Sequence, residues 1–400
     1  MFRFSFRGRS GLLPFPALRA RSPAGRAAVI CAAAACAAVV GIMPASAVPM
    51  PPKPLLGASA LTEAAHSSGQ IWESVAALPS GDILILSPVW PGNTGPQLQL
   101  LGRDGALSPF PDAAWNAAGG DPSGRFVSVT AMTVLPDGAL WILDSGRPSR
   151  DGTARVALPR LIRFDPASGS VVQTVTIRDT ALRPESFLSA IQIHGTRAYV
   201  LDSGSAAIVL VHLDTGVAER RLEMHPSLTS QKPIAGPEGI VKAANGRPFE
   251  VDASLLAISP DGRWLYYQPY SGPLYRLSAE TLEDSGFTGA AVEESATLWY
   301  KTPALGGMTV GPDGTLYWSD VTSGSIESYT PGRVPHRLIT DPRLHWPGGL
   351  AVDGHGTLYV PAAQLDRSAW FTHGDPQVQP PVVLWKFAIP AMATSDVVEK

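Results

Sequence analysis

Cysteine is almost missing from this sequence. Of 400 residues only Cys31 and Cys36 are cysteines, and both lie in a short N-terminal segment that reads as a leader. Beyond that segment there is no thiol, so disulfides and thiol catalysis are excluded from the folded part. Charge is sparse as well, at 16% of residues, which suits a helical or disordered chain less than a turn-rich β protein. No two histidines have H-x-H or H-E-x-x-H spacing, and no G-x-S-x-G elbow is present. No glycine-rich phosphate loop follows a strand and opens a helix, and helical periodicity is nearly absent.

Glycine and proline are plentiful instead, at 39 and 38 residues, as in a turn-rich β protein. The first 47 residues form a processing signal. Arg3, Arg7, Arg9, Arg19, Arg21 and Arg26 make a basic region, residues 27–43 an apolar one, and Ala45-Ser46-Ala47 an A-x-A cleavage site. The apolar run is short for a spanning helix and no other follows. Cleavage after Ala47 and export to the periplasm or medium are therefore expected, with no membrane insertion afterwards. The leader removes six of the 31 basic residues and none of the 34 acidic ones. The remainder carries 25 basic against 34 acidic residues, a net charge of −9. Such a surface repels phosphate backbones, so nucleic acid is not an expected partner.

Residues 48–60 read as a Pro-rich arm. Six hairpins follow, each with a glycine in its turn: Gly81, Gly138, Gly195, Gly262, Gly314 and Gly356. Their spacings are 57, 57, 67, 52 and 42, a loose repeat with loop insertions. The second strand of each hairpin is dense in Trp, Tyr, Leu, Ile and Val, as in ILIL at 83–86, LWIL at 140–143 and LYW at 316–318. Third strands follow near 159–164, 207–213, 273–277, 325–329 and 382–387, and fourth strands near 170–177 and 218–224. The expected fold is all-β: a six-bladed β-propeller of mostly four-stranded blades over residues 61–390. A strand near 61–70 would complete the last blade, and residues 391–400 form a tail.

Several phrases go beyond what any propeller requires. They are Leu140-Trp141-Ile142-Leu143-Asp144-Ser145-Gly146, Pro159-Arg160-Leu161-Ile162-Arg163-Phe164-Asp165, Ala198-Tyr199-Val200-Leu201-Asp202-Ser203-Gly204, and Leu256-Ala257-Ile258-Ser259-Pro260-Asp261-Gly262. Over roughly residues 70–390 the chain resembles the major royal jelly/Yellow protein family, whose bacterial members are described as dopachrome-tautomerase-related. The resemblance implies a secreted six-bladed propeller with a small-molecule site in its central channel. More distantly it is similar to the gluconolactonase (regucalcin-like) propellers. That likeness implies a channel metal held by one Glu, two Asn and one Asp about eight residues before the turn glycines. Here those positions hold Glu73, Thr130, Ser189 (with a shortened turn), Ser254, Gly306 and Gly348. Only the glutamate survives, so neither a channel metal nor another cofactor is expected.

The start of a first strand and the end of a second share one rim. Glu73, Thr130 and Ser254 are thus expected beside Asp144, Asp202 and Asp320, with Trp90, Tyr270 and Trp346 at the same mouth. Carboxylates among aromatics suit a cationic or catechol-type aromatic ligand. The aspartates have a second reading, because Asp in Asp-Ser-Gly often bonds its own backbone in an Asx-turn. The leading expectation is a ligand-binding propeller. A tautomerase- or isomerase-like enzyme, a metal-dependent lactonase and a scaffold with a protein partner are the alternatives.

Overall fold

The computed structural model describes residues 53–148, 154–243, 245–372 and 374–391. The leader, the first part of the arm and the last nine residues of the tail lie outside them. The described residues include six four-stranded antiparallel sheets and one two-stranded ribbon. Blade one holds Ser74–Ala77, Ile83–Leu86, Leu98–Leu101 and Leu107–Pro109, from the axis outward. Blade two runs from Val129–Val134 to Val171–Thr176, blade three from Leu188–His194 to Ala218–Arg221, blade four from Ala253–Ile258 to Thr297–Tyr300, and blade five from Leu305–Val310 to Pro335–Thr340. Blade six has Ala351–Val352, Thr357–Pro361 and Val382–Ala388, and its outermost strand is Thr62–Ser67 from the other end of the chain. No helix among the described residues is long and apolar enough to cross a membrane. The helices Ala279–Glu283 and Gly289–Ser295 bridge the third and fourth strands of blade four.

The sheets stack face to face around the axis, and each interface has its own apolar cluster. Leu86 and Leu98 of blade one meet Val129 and Ile142 of blade two. Equivalent clusters join every later pair and end with Val75 and Ile85 against Ala351 and Leu384 of blade six. A second strand therefore packs on both faces, which is why LWILD at Leu140–Asp144 and LYWSD at Leu316–Asp320 are buried at every position. All six hairpin-turn glycines have left-handed φ, from +57° to +87°.

Where blades five, six and one meet, the axis is too narrow for side chains. A Cβ on Gly306 would lie 1.9 Å from the carbonyl oxygen of Pro347, and one on Gly348 2.0 Å from that of Glu73. Glycine at positions 306 and 348 is thus a packing requirement. Across the last junction Ser74 and Gly349 form a parallel bridge, and Gly349 N donates to Glu73 O at 2.8 Å.

A seventh apolar cluster belongs to no blade interface. It gathers Ile71, Ile234, Val251, Trp346 and Leu365 with the flanking rings Trp90, Phe249, Tyr270 and Phe371. These come from inter-strand insertions, and together they roof one end of the channel.

Candidate ligand-binding site at the channel mouth

The innermost strands share a local irregularity that aims residues at the axis. In blades two to five the register with the second strand slips by one residue, leaving Thr130, Ser189, Ser254 and Gly306 as the extra residue of a β-bulge. Bulges re-aim a side chain at the cost of one unpaired residue. All four residues line a cavity of about 150 Å3 beneath the roof, and Glu73 of blade one lines it with them. Thr130 donates its hydroxyl to Leu188 O at 2.8 Å. The buried hydroxyls of Ser189 and Ser254 have no hydrogen-bond partner among the described residues.

Among the described residues Glu73 is the only acid on this wall. Its backbone is fixed on both sides, donating to Leu86 O at 2.8 Å and accepting from Gly349 N. No described residue hydrogen-bonds or ion-pairs with its carboxylate. By area it is half-buried, yet protein surrounds it on every side, as expected for a group on a cavity wall. Burial with no compensating partner raises its pKa from 4.5 to about 7.

The upper wall is aromatic. Trp90 packs on Trp370 with centroids 5.4 Å apart, Phe371 meets Phe249 edge-on at 5.0 Å, and Tyr270 lies 6.2 Å from Trp346. Burial pushes the Tyr270 phenol well above its usual range, a hydrogen bond from Trp346 opposes this, and the nearby charges of Glu73 and Asp366 add to it. Trp346 holds a left-handed φ of 51°, and His345 before it sits 2.8 Å from Asp366.

The structure brings together Glu73, Thr130, Ser254, Trp90, Tyr270 and Trp346 as the sequence suggests. It corrects the placement of the three aspartates. Asp144 is fully buried, accepts from the amides of Val127, Ser128 and Gly146, and pairs with Arg160 at 2.7 Å. Asp202 accepts from Phe187 N, Gly204 N, Ser205 N and the Ser186 hydroxyl, and pairs with Arg220 at 2.8 Å. Asp320 accepts from the amides of Thr322 and Ser323 and from the Ser323 hydroxyl. None of the three lines the cavity. Backbone amides engage the oxygens of all three, and a guanidinium joins them at Asp144 and Asp202, so the Asx-turn reading holds and extends. Asp144 and Asp202 also pin the chain just before the bulges at Thr130 and Ser189.

Ser189, Phe249, Trp370 and Phe371 also line the wall. A signal for Phe249 was available, since it lies in the insertion behind the longest glycine spacing, 67 residues. Trp370 and Phe371 sit in the long connection between Thr357–Pro361 and Val382–Ala388. Long propeller loops are where function concentrates.

The major royal jelly protein family model matches residues 127–367, well over half of the chain. The chain belongs to the major royal jelly protein family. No curated protein matches it. Some solved structures are similar to it at low identity. A gluconolactonase from Xanthomonas campestris is 13% identical, with a TM-score of 0.48 over 82% of this chain and 89% of that one. Virginiamycin B lyase from Staphylococcus aureus is 15% identical, with a TM-score of 0.42 over 75% and 80%. In this royal jelly family member the axial positions hold one carboxylate, three hydroxyls and two glycines, which offer no side-chain donor. That set does not suit a hard divalent cation, which takes six or more oxygens and usually several carboxylates.

Proposed function

We propose that this royal jelly family propeller binds a small aromatic cation, such as a protonated aromatic amine with or without a catechol ring, in the channel mouth. The observation that carries the proposal is Glu73, an unpartnered carboxylate inside a cavity walled by Trp90, Phe249, Tyr270, Trp346, Trp370 and Phe371. The cation replaces the missing charge partner, and its ring packs among the aromatic faces. The leader motif supports export as the setting, and the acidic surface argues for a partner other than nucleic acid.

Titration calorimetry with phenethylamine- and catecholamine-type ligands tests this, with benzoate and glucose as anionic and neutral controls. Cationic aromatics are expected to bind one per chain. Glu73→Gln is expected to weaken them by roughly ten- to a hundredfold, the worth of a charged hydrogen bond. No binding by the wild type, or equal binding by Glu73→Gln, would defeat the proposal.

One observation favours a second reading. A carboxyl with pKa about 7 is poised to give and take protons at neutral pH, as tautomerase- or isomerase-type proton transfer requires. Turnover of a catechol-derived substrate by the wild type, lost in Glu73→Gln while Glu73→Asp retains part of it, would establish that reading.

A further inference from the structure

A cluster beside the mouth is used by neither reading. Glu238 stands at the turn of the ribbon formed by Ala235–Gly236 and Gly239–Ile240. His345 leads into the innermost strand of blade six, and Asp366 lies in the short turn Leu365–Arg367. These three segments are far apart in sequence. Their ligating atoms nevertheless all lie within 4.8 Å of one another. We propose that Glu238, His345 and Asp366 bind one divalent transition-metal ion, zinc by preference, at the edge of the channel mouth.

One imidazole and two carboxylates is a donor set for a borderline metal, and too nitrogen-rich and ligand-poor for calcium or magnesium. Two of the donors are already fixed. His345 Nε2 lies 2.8 and 3.0 Å from the two oxygens of Asp366, and both side chains are largely shielded from solvent. The backbone holds this arrangement through Gln364 N donating to His345 O at 3.2 Å and Ala363 N donating to Trp346 O at 3.1 Å. The third donor has room to adjust, since Glu238 is mostly exposed and, among the described residues, is held only by a 3.3 Å contact from Arg367. Arg367 also contacts Gln364 Oε1, so an ion displacing it from Glu238 leaves it a partner. A water would complete the coordination. The site is distinct from the axial positions, where the donors do not suit a metal.

Calorimetry of the purified, chelator-treated protein with Zn2+ tests this, with Mn2+ and Ca2+ in parallel. One Zn2+ per chain is expected, Mn2+ weaker and Ca2+ silent. Glu238→Gln, at an exposed position that leaves the fold intact, and His345→Asn should each weaken Zn2+. Loss of a direct ligand should count for at least the roughly tenfold that outer-shell partners do. His66→Asn is the control, because His66 and Glu63 form an unrelated exposed pair at 2.6 Å. The proposal falls if the wild type binds no Zn2+, if Glu238→Gln and His345→Asn bind it as the wild type does, or if His66→Asn abolishes binding.

Discussion

The indole nitrogen of Trp346 donates a 2.9 Å hydrogen bond to the phenol oxygen of Tyr270, joining blade six to blade four across the channel mouth. Both residues are enclosed, so neither polar atom has water as a ready substitute. Tyr270→Phe leaves the indole N–H buried and unpaired, which costs about 1–3 kcal/mol. Thermal or denaturant unfolding should show a loss of that size. Trp346→Phe removes the other partner and also vacates space beside Phe371, so it should cost more. Ligand affinity should fall in both, because the pair forms part of the aromatic wall.

Glu73 should make the protein's stability depend on pH in an unusual direction. Its folded pKa, about 7, lies above the unfolded value near 4.5, so the folded state holds the proton more tightly. The sign follows from linkage: below pH 4.5 the carboxyl is protonated in both states and its burial carries no charge penalty. As pH rises from 4.5 to 7 the unfolded state ionises first, and folding loses about 3 kcal/mol that is not regained at higher pH. Glu73→Gln should abolish this component. Denaturant melts should find the variant more stable than wild type at pH 8, by up to about 3 kcal/mol, with the difference closing toward pH 4.5. The binding site would thus be maintained at the expense of stability, as functional sites often are.

The same ionisation should govern binding. Only the charged form of Glu73 pairs with a cation, so affinity for an aromatic amine should rise with pH up to about 7 and then level off. Below that it should fall by about tenfold per pH unit. Binding at pH 7 should release roughly half a proton per ligand. Calorimetry in buffers of different ionisation enthalpy measures this directly, and pH-independent affinity would show that Glu73 is not the charge partner.

Architecture is legible in the sequence because each hairpin is local. Alternating turn glycines and both-face apolar strands such as Leu316–Asp320 need no knowledge of distant residues. The axial positions were legible for the same reason, since a fixed count back from each turn finds Glu73, Thr130 and Ser254. The aspartates were not. Whether Asp144 faces a channel or a guanidinium depends on Arg160, which returns beside it only when the third strand pairs with the second. The bulges were equally hidden, because one residue of slippage leaves no mark on composition. The approach of His345, Asp366 and Glu238 depends on three loops far apart in sequence, which no local pattern brings together.

The pinning role of Asp202 gives a contrast with the cavity residues. Its ion pair with Arg220 is buried, with side-chain exposures of 0% and 5%. Arg220→Met strands a buried carboxylate, which should cost about 3–5 kcal/mol. Asp320 has no arginine partner among the described residues, so Asp320→Asn should cost only the value of neutralising hydrogen-bonded oxygens, about 1–2 kcal/mol. Measured well below the melting transition, Arg220→Met should bind ligand as the wild type does within about threefold. A large loss of affinity with unchanged stability would instead put Asp202 back in the site.

The narrow side of the axis supplies the sharpest packing test. Gly348 sits where the innermost strands of blades six and one converge, and an added Cβ would lie 2.0 Å from Glu73 O and 3.0 Å from its carbonyl carbon. The obstacle is backbone, so no rotamer change relieves it. Gly348→Ala must push the two blades apart, and overpacking of this kind costs about 1–3 kcal/mol or more. The same movement disturbs the 2.8 Å bond from Gly349 N to Glu73 O. Gly348→Ala should therefore weaken an aromatic cation as well as lower stability, although residue 348 does not line the cavity. Gly354→Ala is the matched control, since nothing lies within 4 Å of a Cβ built there. Unfolding and binding measured on both variants separate the outcomes. If Gly348→Ala is as stable as Gly354→Ala, the close approach is not required by the fold. If it is destabilised but binds normally, Glu73 does not depend on the blade-six backbone for its position.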